Sequence, residues 1–368
     1  MNAIPTKPES GNARPGRVLS LVAQHVGGVA VFWQNMQRQF PEVDVVHYRA
    51  GAQTAFDAAT RTLHYNVYDP LTHIYRVLAA HLDLDSYETL VANERFELEF
   101  FLWSGTSRPV AFIVHTNHEH SYAIAFRHAG RVDHFFCVSE TAASYLRARG
   151  IEHISAFQYS TFVDVAPATV KEKRVLYVGR LEPDKNILET IELFKIFRSH
   201  GYQVRMIGVG SLEAKVRASL DPDEVRIGIP RDAVLQELAV ASFLCLNSYV
   251  EGLPIIYTEA MHFRLGVICN YLDKTGHQVL GDNYLLNSTP AELLRRMDRF
   301  VFTEPPAPRR INHPELNEAF LRELRAVKPA HRPRAALAPG GWLDRTRLLP
   351  AALIRAVRTW RMARSNRT

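Results

Sequence analysis

A chain of 368 residues is long enough for two domains of ordinary size, each with its own core. With 47% hydrophobic and 22% charged residues, and no apolar run near the ~20 residues of a membrane span, it reads as a soluble globular protein. The net charge of +6 sits in the tail, where seven arginines and no Asp, Glu or Lys follow position 344, leaving −1 for the rest. A nucleic-acid-binding protein would carry its basic residues across a folded face, so that class is set aside.

Residues 1–16 are polar and Pro/Gly-rich without an apolar core segment, so we expect a flexible N-terminus and no secretory signal. The three cysteines, Cys137, Cys245 and Cys269, lie far apart in apolar runs. They read as buried thiols in a reducing cytoplasm, not as a disulfide set or metal site.

Residues 17–23 form the first buried-strand pattern, and Gly27-Gly28 opens a helical pattern through Val31, Phe32, Met36 and Phe40. Glycines at a strand-to-helix turn let backbone approach a phosphate or sugar, though an ordinary turn would use them too. Residues 43–49 and 62–68 read as the next strands, and 72–84 as a helix. Asp83-Leu84-Asp85 has metal-binding spacing, but it sits at a helix end ahead of another expected helix and reads as a solvated cap. Asp221 and Asp223, in a Pro-containing turn, read the same way, and no metal is expected. Residues 108–115 form a strand ending on His115, followed by Thr116-Asn117-His118-Glu119-His120. Polar residues just past an α/β strand lie where ligands bind. Residues 132–138 form a further strand, with Ser139 as the N-cap of the helix that follows. Residues 154–170 are the expected crossing between domains.

In the second half, residues 174–178 form a short strand, followed by Gly179-Arg180-Leu181-Glu182-Pro183-Asp184-Lys185 and a helical pattern through Ile187, Ile191, Phe194 and Phe197. Two cations five positions apart, in a loop between strand and helix, form a clamp suited to phosphate oxygens. Residues 203–207 are a strand leading into Gly208-Val209-Gly210, and 225–230 a strand and turn. After a strand at 243–247 comes Glu251-Gly252-Leu253-Pro254, then a helix with Glu259 about one turn in. A helix start aimed at one point by such a break suits an anion such as a diphosphate. A carboxylate one turn further suits a pair of sugar hydroxyls.

Gly179-Arg180-Leu181 with Lys185, followed by Glu251-Gly252-Leu253-Pro254 and Glu259-Ala260, resembles the donor-binding signature of retaining glycosyltransferases of family 4, which have the GT-B fold. The likeness is good over 175–287, thinner over 16–165 and absent beyond about 303. It implies an α/β fold of two Rossmann-like domains facing across a cleft: an acceptor domain at 17–166 and a nucleotide-sugar donor domain at 167–303. Residues 304–368 would add a Pro-rich segment, a crossing helix and a basic tail. The resemblance implies that Arg180 and Lys185 bind the diphosphate, Glu251 the transferred sugar and Glu259 the ribose hydroxyls. It also brings Gly27, Gly28, Gly179, Gly208, Gly210, Ile229, Gly252, Leu253 and Pro254 to the donor, His115 to the transferred sugar, and Asn117 and His118 towards the acceptor.

Two departures stand out: the linker has Ser160-Thr161-Phe162-Val163-Asp164 where relatives commonly carry Asn-Gly-Val-Asp, and 272–277 replaces a Gly-Gly turn. The implied activity is metal-independent, retaining transfer of a sugar from a UDP- or GDP-sugar to an acceptor hydroxyl on a carbohydrate or lipid-linked molecule, with no cofactor, in polysaccharide or glycolipid assembly. Alternatives are a sugar-nucleotide epimerase of the same fold, or a non-catalytic nucleotide-sugar-binding or interaction protein. A dinucleotide dehydrogenase is disfavoured, because no G-x-G-x-x-G follows either leading strand.

Past 303, seven of the 20 prolines fall between Pro305 and Pro339, interrupted by a helical pattern at 314–327, which the resemblance implies crosses back to the first domain. Residues 348–364 can form a basic amphipathic helix with Leu349, Leu353, Ala356 and Trp360 on one face. Such a segment suits peripheral contact with the inner face of an anionic membrane, or packing on the body.

Overall fold

The computed structural model describes residues 16–24, 27–249, 251–305 and 310–329; the expectations for 1–15 and for the 348–364 tail lie outside these residues. Two sheets form the frame. The first contains β1 (Val18–Ala23), β2 (Val43–Ala50), β3 (Ala55–Asp57), β4 (Thr62–Tyr65), β5 (Thr89–Ala92), β6 (Val110–Val114), β7 (His134–Cys137) and β8 (Ile154–Ala156), in the order β3-β4-β2-β1-β5-β6-β7-β8. All its pairings are parallel except β3 against β4. The second contains β9 (Arg174–Val178), β10 (Gln203–Gly208), β11 (Val225–Ile227), β12 (Phe243–Leu246), β13 (Gly266–Cys269) and β14 (Tyr284–Leu286), all parallel, in the order β11-β10-β9-β12-β13-β14. Helices fill the crossovers: α1 (Gly28–Gln39), α2 (Leu71–His81), α3 (Arg95–Ser104), α4 (Glu119–His128) and α5 (Glu140–Arg147) in the first unit. The second has α6 (Ile187–Ser199), α7 (Glu213–Ser219), α8 (Arg231–Val240), α9 (Ile255–His262), α10 (Lys274–Leu280) and α11 (Pro290–Asp298); α12 (Pro314–Ala326) follows. This is the two-domain GT-B arrangement that the resemblance implied.

Strand alternation sorts the first sheet into two cores. Val18 and Val22 of β1, Ala111 and Ile113 of β6 and Phe136 of β7 face α1 and α12, in a core continuous with the second domain. Leu19, Leu21, Val110, Phe112, Val114 and Phe135 face the other way, towards α2 to α5. Helix α12 returns to the first domain through Phe320, whose ring stacks on Phe157 at 4.0 Å and meets Phe136 and Phe32. The buried Asn317 amide is satisfied: Ser160 N–H donates to its oxygen at 2.9 Å, and its nitrogen donates to Ser160 O (3.1 Å) and Gln39 Oε1 (3.0 Å). Arg325 donates to Gly16 O at 3.0 Å and pairs with Glu42 at 2.6 Å.

Several elements differ from expectation. The strand expected at 62–68 stops at Tyr65, because an Asn66–Asp69 turn (3.0 Å) leads into Pro70. Asp83-Leu84-Asp85 is not followed by a helix: a single 3₁₀ turn, Leu84–Ser86, leads into β5, which the sequence reading lacked together with β3 and α3. Four-residue apolar runs such as Thr89–Ala92 carry too little periodicity to stand out. Asp221 caps the turn Pro222–Glu224 and pairs with Arg198 at 2.8 Å.

Candidate functional site

Sheet order decides where the loops meet. In the first sheet the chain leaves β1 towards β2 and returns on β1's other side at β5; in the second it leaves β9 towards β10 and returns at β12. A reversal of this kind opens a crevice at the carboxyl ends of the two strands. The described residues there are Gln24, Gly27 and Asn93 in the first domain, and 179–186, 247–249 and 251–254 in the second.

The second domain contributes charge. Lys185, closing the one-turn helix Pro183–Lys185, donates to Glu251 Oε1 at 2.6 Å, with only 14% and 17% of the two side chains exposed. Arg180, at the other end of the loop, pairs with Asp184 at 3.0 Å, and these side chains are 38% and 45% exposed. A pair that exposed is worth about 0–1 kcal/mol and is readily exchanged for a better anion. Tyr177 Oη donates to Arg180 O at 2.6 Å and pins the loop. The loop packs directly on its neighbour: a Cβ at Gly208 would stand 1.9 Å from Gly179 O, and one at Gly210 2.4 Å from Leu181 O. Those glycines are accounted for by the approach of two backbones that bond through Gly179 N–H to Ile207 O and Leu181 N–H to Val209 O. Ile229 is partly buried against the core just before α8.

Helix α9 begins after Pro254 with no side-chain cap and no acidic residue in its first turn, so its leading N–H groups have no side-chain partner of that kind. Glu259, its fifth residue, is 1% exposed and held in two-pronged contact by Arg231 at the start of α8, one prong at 3.1 Å. The sequence reading missed Arg231; the signal was a cation directly after Gly228-Ile229-Pro230 at a helix start.

The first domain contributes neutral groups. His115 follows β6, and its Nε2 lies 2.9 Å from Asn93 Oδ1. Burial without a counter-charge pushes its pKa down to about 3, so the ring is neutral. Asn93, 4% exposed, also receives Trp33 Nε1–H at 2.8 Å. Gly27, just before α1, has open space where a side chain would lie, and a Cβ on Gly28 would sit 3.6 Å from Ile255 of α9, so the start of α1 faces the start of α9. Asn117, expected near the acceptor, bridges the domains instead: it donates to Asp273 Oδ2 at 2.9 Å and accepts from Ser139 at 2.8 Å. The His118 ring accepts from His120 N–H at 3.1 Å as the N-cap of α4.

The two halves touch where the motif sits. A Cβ at Gly252 would stand 2.4 Å from His115 O, so only glycine lets the 251–254 segment lie against that carbonyl. Tyr159 of the linker donates to Leu253 O at 2.8 Å. His115 of the first domain therefore meets the second-domain segment that carries Glu251, Gly252 and, through the ion pair, Lys185. Among the described residues no group of three or more His, Cys, Asp or Glu is arranged to hold a metal ion, and no helix is long and apolar enough to cross a membrane.

The family model of glycosyl transferases group 1 matches residues 161–311. Among curated proteins, the amylovoran biosynthesis glycosyltransferase AmsD of Erwinia amylovora is 26% identical over 129 residues, 33% of this chain and 36% of that protein. A Campylobacter jejuni α-1,4-N-acetyl-D-galactosaminyltransferase is 24% identical over 197 residues, 49% of this chain and 54% of that protein. The chain thus spans between about a third and about half the length of these relatives. Among solved structures, sucrose-phosphate synthase from Thermosynechococcus elongatus superposes with a TM-score of 0.60 at 14% identity, over 84% of this chain and 94% of that one. A mutant of S. aureus TarM superposes with a TM-score of 0.57 at 12% identity, over 84% and 96%. Residues 161–311, the second domain with the linker before it, thus match the glycosyl transferases group 1, and the chain as a whole has a GT-B fold.

Proposed function

We propose that the protein is a retaining, metal-independent glycosyltransferase that moves a sugar from a UDP- or GDP-sugar to a carbohydrate or lipid-linked acceptor hydroxyl. The observation that carries this reading is the Lys185–Glu251 pair at the β9/β12 crevice, with His115 of the opposite domain against Gly252. Arg180, Lys185 and the uncapped start of α9 suit a diphosphate leaving group, where stabilising developing negative charge is usually the largest catalytic contribution. Glu251, released from Lys185 as the phosphates take that cation, orients the transferred sugar. In same-face substitution the acceptor oxygen attacks the anomeric carbon as its bond to the diphosphate breaks, and a leaving phosphate oxygen takes the acceptor's proton. Ribose hydroxyls replace the Arg231 contacts at Glu259.

The relatives' names support assembly of a polysaccharide or glycolipid: they cite amylovoran biosynthesis and a galactosaminyltransferase acting on an undecaprenol-diphosphate-linked glycan. Thermal unfolding with UDP, GDP, ADP and their sugar conjugates, without added metal, tests the reading. A ligand at about 100 times its Kd adds about 2.7 kcal/mol. A shift with one nucleotide class, with sugar transfer to an added acceptor, supports it. Conversion of the donor sugar without acceptor would point to an epimerase. No shift with any ligand, with Arg180→Ala behaving as wild type, would leave a non-catalytic protein.

A further inference from the structure

We propose that Asn93 is a positioning residue that fixes His115 as its Nε2–H tautomer, so that His115 meets the donor sugar as a hydrogen-bond acceptor through Nδ1. The inference rests on the reading that the cleft binds a nucleotide sugar, and it adds a residue and a direction of hydrogen bonding to it.

The argument is one of donors and acceptors. Asn93 Nδ2 lies 2.8 Å from Leu21 O, which can only accept, and 3.0 Å from Ser20 Oγ. Its Oδ1 lies 2.8 Å from Trp33 Nε1–H, which can only donate. Both ends of the amide are therefore assigned without ambiguity: a flipped amide would set N–H against N–H at Trp33 and oxygen against oxygen at Leu21. The group 2.9 Å from His115 Nε2 is then an acceptor, so Nε2 carries the proton. A neutral ring with its proton on Nε2 has a lone pair, and no proton, on Nδ1. No hydrogen bond to Nδ1 is made among the described residues, and His115 is partly exposed, with its backbone carbonyl against Gly252.

The backbone of Asn93 is held as firmly as its side chain. Its N–H donates to the buried Glu97 carboxyl group, whose pKa burial pushes up to about 8 and which also receives Glu94 N–H at 2.9 Å and Tyr48 Oη–H at 2.9 Å. Ser20, Asn93, Trp33 and His115 come from β1, the end of β5, α1 and the end of β6, so the lock depends on β1 lying between β2 and β5. A ring presented this way discriminates: it accepts from a sugar hydroxyl and gives nothing to a sugar position that carries no donor.

The test has two readouts. ¹⁵N NMR of the histidine rings in the ligand-free protein, with His115→Gln to assign the signal, should show His115 with Nε2 protonated and Nδ1 bare at pH 7. Asn93→Asp should instead protonate both nitrogens by placing a carboxylate beside the ring. Trp33→Phe, which leaves the Asn93 amide anchored by Leu21, should keep the wild-type tautomer. On the substrate side, the probes are the monodeoxy analogues of the nucleotide sugar that wild type turns over. One of them should lose about tenfold or more in kcat/KM in wild type, and that discrimination should vanish in His115→Phe. An Nδ1–H or charged His115 in wild type overturns the proposal even if the variants do not fold, as does equal use of every monodeoxy analogue. Should no nucleotide sugar be turned over, the enzymatic reading falls, and with it the sugar contact, while the NMR spectrum still decides the tautomer.

Discussion

The two walls of the cleft solve the problem of polar groups near the interior in opposite ways. In the second domain the buried groups are charged and matched: Lys185 with Glu251, and Arg231 with Glu259. In the first domain they are neutral and gathered around one fully engaged amide: Asn93 with Trp33, Ser20, Leu21 and His115, the last held uncharged by burial. A paired charge can be handed to an incoming anion or hydroxyl, which is what the proposed donor chemistry asks of the second domain. With every polar atom of the Asn93 side chain engaged, that network exchanges no partners and holds the His115 ring in one orientation.

The largest effect is expected from breaking the charged wall at its centre. Lys185→Ala should lower kcat by about 10²–10³, the loss associated with removing one donor to developing negative charge. Steady-state kinetics with saturating donor would check this, and a change under threefold would remove Lys185 from the catalytic set. Arg231→Met should cost about 3 kcal/mol of stability without ligand, because it strands the Glu259 carboxylate, which is 1% exposed. The stabilisation by nucleotide should then exceed that in wild type, since ribose no longer displaces a guanidinium. Calorimetry with and without nucleotide would read both; an equal ligand shift in the two proteins would argue against ribose at Glu259.

The neutral wall is sharpened by acid. His115 is lowered to about 3 and His128 to about 4, both chiefly by burial. As pH falls below the unfolded value of about 6.5, the unfolded chain takes up protons that the folded one refuses. Stability should therefore fall from about pH 6.5 towards pH 4, by at most about 1.4 kcal/mol per pH unit for each ring. Denaturant unfolding across that range should show a shallower decline in His128→Phe. The smallest effect is expected outside both walls: Asp83→Asn with Asp85→Asn should leave kcat/KM within about twofold, with or without EDTA. A larger loss would reopen the metal reading.

How much was readable in the chain follows the same division. The 179–185 and 251–259 motifs are local: each carries its chemistry within ten residues, and the structure brings Lys185 to Glu251 across 66 positions. The individual strands and the helix at 314–326 followed from apolar periods and from Pro314 at a helix start, whereas the two-domain fold and the crossing back to the first domain were implied by the family resemblance. Asn93 was invisible, because an Asn after a four-residue apolar run looks like any loop residue until β1, β5 and β6 lie side by side. Asn117 was placed near the cleft by its position past β6, yet its amide is engaged with Asp273, a partner 156 positions away.

The sequence by itself determined most of the alternation of buried strands and amphipathic helices, the thiol cysteines and the charged 179–185 and 251–259 motifs, because these depend on neighbours within a turn or a strand. Only the tertiary structure decided which charges pair, which glycines are needed for close backbone approach, and which proton His115 keeps. Those outcomes depend on strand order and on two domains meeting at Gly252 and His115, and non-local packing of that kind leaves no period in the chain.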